Sequence, residues 1–210
     1  MISKDDLPLL GILRGIAEKD VQPLAEMFIK HKVKHVEITM NTKNATLLIS
    51  QFIKAGGADL NIGAGTVLDR KDMDVALDAG ANFIVSPSIV YEVVEECVAR
   101  NIPVFPGALT PTEIHKAWSM GATMVKLFPA SLFGAGYLRA VKAPFENIKL
   151  LAVGGVGPQS ISKFFENGAD AVAFGAGIIR HKWLEENKYD LIEQHLVSLI
   201  GAYKSQESDQ

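Results

Sequence analysis

One pattern recurs along the whole chain, and it leaves few folds open. A short apolar run gives way to a turn and an amphipathic stretch, several of which close on a Gly-Ala pair before the cycle restarts. The apolar runs are 9–14, 35–40, 61–67, 83–88, 103–109, 124–130, 149–155 and 171–177. Between them apolar residues fall at helical spacing, as in Leu24, Met27 and Phe28, or Ile49, Phe52 and Ile53. Gly57-Ala58, Gly80-Ala81, Gly121-Ala122 and Gly168-Ala169 read as left-handed helix C-caps that release the chain into the next strand. Asp69, Thr110-Pro111 and Gly157-Pro158 read as helix starts. Eight strands alternating with eight helices, most strands apolar on both faces, predict parallel strands covered by helices. Eight is also the number that closes an α/β (β/α)8 TIM barrel as a single domain, here residues 1–204, with 205–210 a polar, frayed tail. The rival is a doubly wound open sheet, whose phosphate loop would follow the first strand. Arg14-Gly15-Ile16-Ala17 is no glycine-rich cradle.

Composition narrows the functional classes. The chain has 210 residues, 48% of them hydrophobic, with 21 basic against 24 acidic side chains and a net charge of -3. That balance gives no electrostatic case for binding nucleic acid. No uncharged apolar stretch reaches the roughly 18 residues of a membrane span, and Asp5 and Asp6 ahead of a short apolar run do not read as a signal peptide. The expectation is a soluble cytoplasmic protein. Its lone cysteine, Cys97, sits in a helical stretch and reads as a buried structural thiol. No metal site is expected, because none of the five histidines ends a strand. His31 and His35 straddle a helix end and a strand start, and read as surface residues rather than a zinc pair.

In a barrel the active groups sit at strand C-termini, so polar residues there carry the information. The run 124–130 has Lys126 among apolar neighbours; alternation puts Met124, Lys126 and Phe128 on one face and Val125 and Leu127 on the other. If the second pair faces the helices, Lys126 enters the barrel, where desolvation makes its amine nucleophilic. The competing reading is a lysine that snorkels to the mouth and binds an anion. Glu37 breaks the run 35–40 in the same way and reads as a proton carrier, or as a structural ion-pair partner of Lys126. Glycines cluster where barrels hold phosphate, after the seventh and eighth runs: Gly154 and Gly155, then Gly175 and Gly177 on either side of Ala176. Thr66 adds a hydroxyl and Arg14 an anion partner, unless Arg14 belongs to a solvated ion pair.

These residues stand in a familiar order: LPLLGILRG at 7–15, VEITMN at 36–41, IGAGTV at 62–67, VSP at 85–87, FPG at 105–107, KLFP at 126–129 and VGG at 153–155. The chain resembles the class I 2-keto-3-deoxy-6-phosphogluconate aldolases, with the phosphogalactonate and 4-hydroxy-2-oxoglutarate aldolases beside them. The resemblance runs from about Leu7 to Lys182. It implies a (β/α)8 barrel, a homotrimer, and a small keto acid substrate with neither metal nor cofactor. It further implies Schiff-base formation at Lys126, proton transfer at Glu37, and a pyruvate carboxylate held at Thr66. Pro87 and Phe128 match positions lining the pyruvate pocket; Gly154 and Gly155, with the strand 8 loop, match the phosphate site. The phosphogluconate branch often has arginine where this chain has Asn41 and threonine where it has Val153; the phosphogalactonate branch looks like this chain at both. Both branches commonly carry serine in the loop where this chain has Ala176.

The expected reaction is cleavage of a 2-keto-3-deoxy-6-phospho-sugar acid to pyruvate and glyceraldehyde 3-phosphate, with Arg14 and Thr66 at the carboxylate end. The alternatives are an aldolase for unphosphorylated 4-hydroxy-2-oxoglutarate, a catalytically silent sugar-phosphate binding barrel, and a phosphate-handling isomerase barrel.

Overall fold

Nine parallel strands form one sheet in the computed structural model, which describes residues 8–207. They are β1 (Leu9–Leu13), β2 (His35–Thr39), β3 (Asn61–Gly65), β4 (Ile84–Val85), β5 (Val104–Phe105), β6 (Gly107–Ala108), β7 (Val125–Leu127), β8 (Leu150–Val153) and β9 (Ala171–Phe174). Their spatial order is β5-β4-β3-β2-β1-β9-β8-β7-β6. The two ends of that order, β5 and β6, are separated in sequence by Pro106 alone, so one interrupted strand closes the barrel. The run 103–109 was expected as one strand. Proline has no N–H to donate and splits it, although the Pro106 carbonyl still accepts from Lys126 N at 2.9 Å.

The covering helices are α1 (Val21–Lys30), α2 (Ala45–Gly56), α3 (Arg70–Asp78), α4 (Tyr91–Ala99), α5 (Pro111–Ser119), α6 (Gly136–Lys142), α7 (Ile161–Glu166), α8 (His181–Glu185) and α9 (Tyr189–Glu207). The expected start signals hold at Asp69, whose side chain accepts from Asp72 N, and at Thr110, which forms a reciprocal capping box with Glu113. Gly157-Pro158 instead opens a turn, and α7 begins three residues later. The glycines of the four Gly-Ala pairs all have positive φ: 52° at Gly57, 99° at Gly80, 95° at Gly121 and 96° at Gly168. The last helix continues to Glu207, so 205–207 are helical rather than frayed. Residues 208–210, and the N-terminal segment with Asp5 and Asp6, lie outside the described residues.

Two buried clusters divide the interior. A large one fills the layer between strands and helices and includes Val125 and Leu127. A smaller one, with Leu10, Phe83, Phe105, Met124 and Leu151, fills the barrel lumen. The alternation along β7 therefore falls as expected, with Met124 inside. Cys97 is fully buried and lies 3.6 Å from the Met73 sulfur; burial pushes its thiol up to about 11, away from reactivity. Among the described residues no helix is long and apolar enough to cross a membrane.

Candidate active site

The strands that carry charge into the lumen pair with glycines on their neighbours. Glu37 is opposite Gly63 in the β2–β3 ladder, and Lys126 is opposite Gly107 in the β6–β7 ladder. Glu37 is only 1% exposed and Lys126 6%. Among the described residues Glu37 Oε2 has no hydrogen-bond partner; burial pushes its carboxyl above the ordinary range, against the opposing pull of Lys126 and Arg14. Burial likewise lowers Lys126; Arg14 adds to that fall and Glu37 opposes it. Desolvation wins at both groups. The Lys126 Nζ lies 5.3 Å from the centre of the Phe128 ring.

Above this pair, Arg14 spans the ends of three strands. Its Nη1 donates to Asn41 Oδ1 and its Nη2 to Thr66 Oγ1, each at 3.1 Å. These partners are neutral amide and hydroxyl groups, not the carboxylate of a solvated ion pair. Thr66 has φ +55°, an outlier for a β-branched residue that costs about 1–3 kcal/mol. The neighbouring loop is tied down by Gly15 N donating to Thr42 Oγ1 at 3.0 Å, with Thr42 in turn bonded to Thr39 at 2.9 Å.

A cavity of about 580 Å³ opens next to Arg14. Phe128, Val153, Gly154, Gly155, Gly175 and Ala176 line it, bringing the expected phosphate-loop residues together with Arg14. Gly154 and Gly155 have φ of 104° and 72°, conformations that favour glycine and turn the backbone sharply after β8. Lys126, Glu37, Asn41, Thr66 and Pro87 are not on this cavity's wall. Lys126 is reached through Phe128, and Asn41 and Thr66 through Arg14. The Pro87 carbonyl lies against Gly107, the residue paired with Lys126, where a Cβ would collide with it.

Sequence reasoning gave three residues here no role of their own. Gly65 sits against the Glu37 carboxyl, Gly107 separates Lys126 from Pro87, and His181 lines the cavity near Gly15. His181 pairs with Glu185 at 3.3 Å; its one signal was a position just beyond the last glycine loop. His35 is also not the surface residue expected: it is 3% exposed, with Nδ1 bonded to Asn61 Nδ2 at 3.1 Å. His31 meets Glu193 instead. No group of three or more His, Cys, Asp or Glu side chains placed to hold a metal occurs among the described residues.

Comparison with known proteins is consistent across sequence and structure. The family model for KDPG and KHG aldolases matches residues 3–195. A 2-dehydro-3-deoxy-6-phosphogalactonate aldolase of Escherichia coli K12 is 35% identical over 175 residues, 83% of this chain and 85% of that protein. A 2-dehydro-3-deoxy-phosphogluconate aldolase of Haemophilus influenzae is 29% identical over 200 residues, 95% of this chain and 94% of that one. The solved native KDPGal structure superposes with a TM-score of 0.91 at 31% identity, covering 99% of this chain and 100% of its own. A Legionella pneumophila KDPG aldolase, solved with pyruvate captured as a covalent carbinolamine, gives a TM-score of 0.82 at 25% identity over 92% and 94% of the two chains. The family model and the relatives agree: the chain belongs to the KDPG and KHG aldolase family.

Proposed function

We propose that the protein is a Schiff-base aldolase that cleaves a 2-keto-3-deoxy-6-phospho-sugar acid to pyruvate and glyceraldehyde 3-phosphate. One observation carries this reading: a lysine and a glutamate are buried together in the lumen, and desolvation pushes each toward its neutral form. Neutral Lys126 attacks the C2 carbonyl, and protonated Glu37 gives its proton to the hydroxyl that leaves as water, which yields an iminium and a Glu37 carboxylate. The C3–C4 bond then breaks, its electron pair moving into the iminium to form an enamine. Glu37, directly or through a water, takes the C4 hydroxyl proton as the aldehyde departs. Protonation of the enamine at C3 and hydrolysis of the imine release pyruvate and restore the amine.

Arg14 and Thr66 hold the carboxylate end in this scheme, with Pro87 and Phe128 flanking the pyruvate. The loops at Gly154, Gly155, Gly175 and Ala176 hold the phosphate. Asn41, fixed by Arg14, and Val153, on the cavity wall, favour the galactonate epimer. A threonine at 153 would offer a substrate hydroxyl a bond that valine lacks, a difference of roughly 1–3 kcal/mol. One feature favours a second substrate, unphosphorylated 4-hydroxy-2-oxoglutarate: Ala176 brings no hydroxyl to the phosphate loop. Retention of both Lys126 and Glu37 argues against a silent binding barrel.

The reading includes a homotrimer and a cytoplasmic location. Leu132 and Phe133, on the loop after β7, are 61% and 60% exposed, and a subunit contact would remove that apolar surface from water. A lone thiol with no disulfide suits a reducing compartment.

Incubation with pyruvate and borohydride should leave one stable adduct on Lys126, and Lys126→Ala should lose both the adduct and aldol cleavage. An adduct on another lysine, or cleavage that resists borohydride, overturns the imine route. Measuring kcat/KM for both phosphorylated epimers and for 4-hydroxy-2-oxoglutarate side by side decides the substrate. A value about tenfold higher for the gluconate epimer overturns the epimer assignment.

A further inference from the structure

A second cavity, about 600 Å³ in volume, is bounded by the loop after β8, by Arg180, and by Gln194, His195 and Ser198 of α9. Gly155, Val156 and Gly177 line both cavities, so the glycine loops form a shared wall. The chemistry of the second cavity is one-sided. It presents a guanidinium, an imidazole, the amides of Gln159 and Gln194 and the hydroxyls of Ser160 and Ser198, with no carboxylate among its described lining residues.

Arg180 is poised rather than spent. Its guanidinium lies over the Trp183 ring, 4.6 Å from the centroid. Among the described residues it forms no ion pair within 4.0 Å and no side-chain hydrogen bond. Stacking fixes the plane of the guanidinium while leaving its in-plane N–H donors for a ligand. The same indole packs edge-on against His195, with 4.7 Å between ring centroids, and His195 Nδ1 bonds the Leu191 carbonyl at 3.1 Å. The guanidinium and the imidazole thus share one aromatic support. Ser160 connects the cavity to its wall: its Oγ donates to the Gly155 carbonyl at 2.7 Å and accepts from Gly157 N at 3.0 Å.

We infer that this cavity binds a small oxyanion, a phosphate- or carboxylate-bearing molecule, at a site separate from the one that holds Lys126 and Glu37. Arg180 supplies the charge, and Gln194 and Ser198 supply neutral donors. A ligand that packs against Ser160 touches the residue that ties down the Gly155 turn, which links occupancy here to the loop shared with the first cavity.

Trp183 is a built-in reporter, because the chain has only two tryptophans. Trp118→Phe leaves Trp183 alone, and inorganic phosphate is titrated against chloride at matched ionic strength. A saturable change in Trp183 emission is expected. Its midpoint should rise about tenfold or more when Arg180→Ala removes the charged donor. It should rise comparably when Gln194→Glu adds a carboxylate and leaves Arg180 and Trp183 in place. The same comparison by calorimetry on the protein with both tryptophans guards against a folding effect of Trp118→Phe. A response equal to that of chloride, or midpoints unchanged in both variants, overturns the site.

Discussion

Gly65 makes the room that Glu37 occupies: a Cβ built on Gly65 would lie 2.6 Å from the Glu37 Cδ. Gly63, two residues earlier on the same face of β3, makes room for something else, since its Cβ would strike the Phe83 ring. One short motif thus serves a buried carboxyl and a packed aromatic ring. Gly65→Ala should displace the carboxyl and lower kcat by about 10- to 100-fold, the scale of a misplaced reacting group. Gly63→Ala should instead cost about 1–3 kcal/mol of stability through overpacking. Urea melts and kcat measured on both variants check the contrast, and equal losses of kcat would erase it.

Glu37→Gln separates proton transfer from folding. Activity should fall about 100-fold or more, as for a removed general base. Stability should move the other way. The folded chain binds the Glu37 proton more tightly than the unfolded chain, whose value is near 4.5. The wild type therefore carries no penalty below that value and a growing one as pH rises through the raised folded value. Melting temperatures at about pH 5 and about pH 8 should show the glutamine variant gaining on the wild type as pH increases. A gap that shrinks with pH would mean that the carboxylate is a stabilising ion-pair partner.

Arg14→Lys tests whether geometry or charge matters at the carboxylate end. Arginine reaches Asn41 and Thr66 from two different nitrogens at once. An ammonium keeps the charge but not the planar fork. The pyruvate concentration needed for half-maximal borohydride trapping should rise about tenfold, the scale of one charged hydrogen bond. The plateau of trapped Lys126 should be unchanged. Trapping at wild-type concentrations would show that Arg14 acts through charge alone.

Much of this was legible because a period of two on a short strand has only two solutions. Once Val125 and Leu127 belong to the outer layer, Lys126 must enter the lumen, and Glu37 follows in the same way from Val36 and Ile38. The Gly-Ala pairs were readable because a C-cap needs a local backbone conformation and little else. What stayed hidden depends on distant partners. His35 looked like a surface residue because its partner, Asn61, lies on the next strand. Pro106 was in plain sight, yet an apolar run gives no sign that barrel closure passes through its one interrupted residue. The second cavity joins residues 155–160 to 194–198, which no local pattern connects. The net direction of the Lys126 shift could not be read either, since burial and Arg14 oppose Glu37 and only their relative placement decides the outcome.

Ala176 is the most direct handle on phosphate. It lines the first cavity between Gly175 and Gly177, where backbone N–H groups are unobstructed but no hydroxyl is offered. Serine has the same Cβ as alanine, so Ala176→Ser adds one donor without disturbing the turn. One added hydrogen bond is worth about 1 kcal/mol, so KM for the phosphorylated substrate should fall roughly fivefold with kcat little changed. Unphosphorylated 4-hydroxy-2-oxoglutarate supplies the control, since it has no phosphate for the hydroxyl to meet and its KM should not move. Tightening of both substrates would place the new hydroxyl at the pyruvate end. A flat or rising KM for the phosphorylated substrate would mean that the loop after β9 does not cradle phosphate, and the phosphate end would have to lie along the Gly154–Gly155 turn alone.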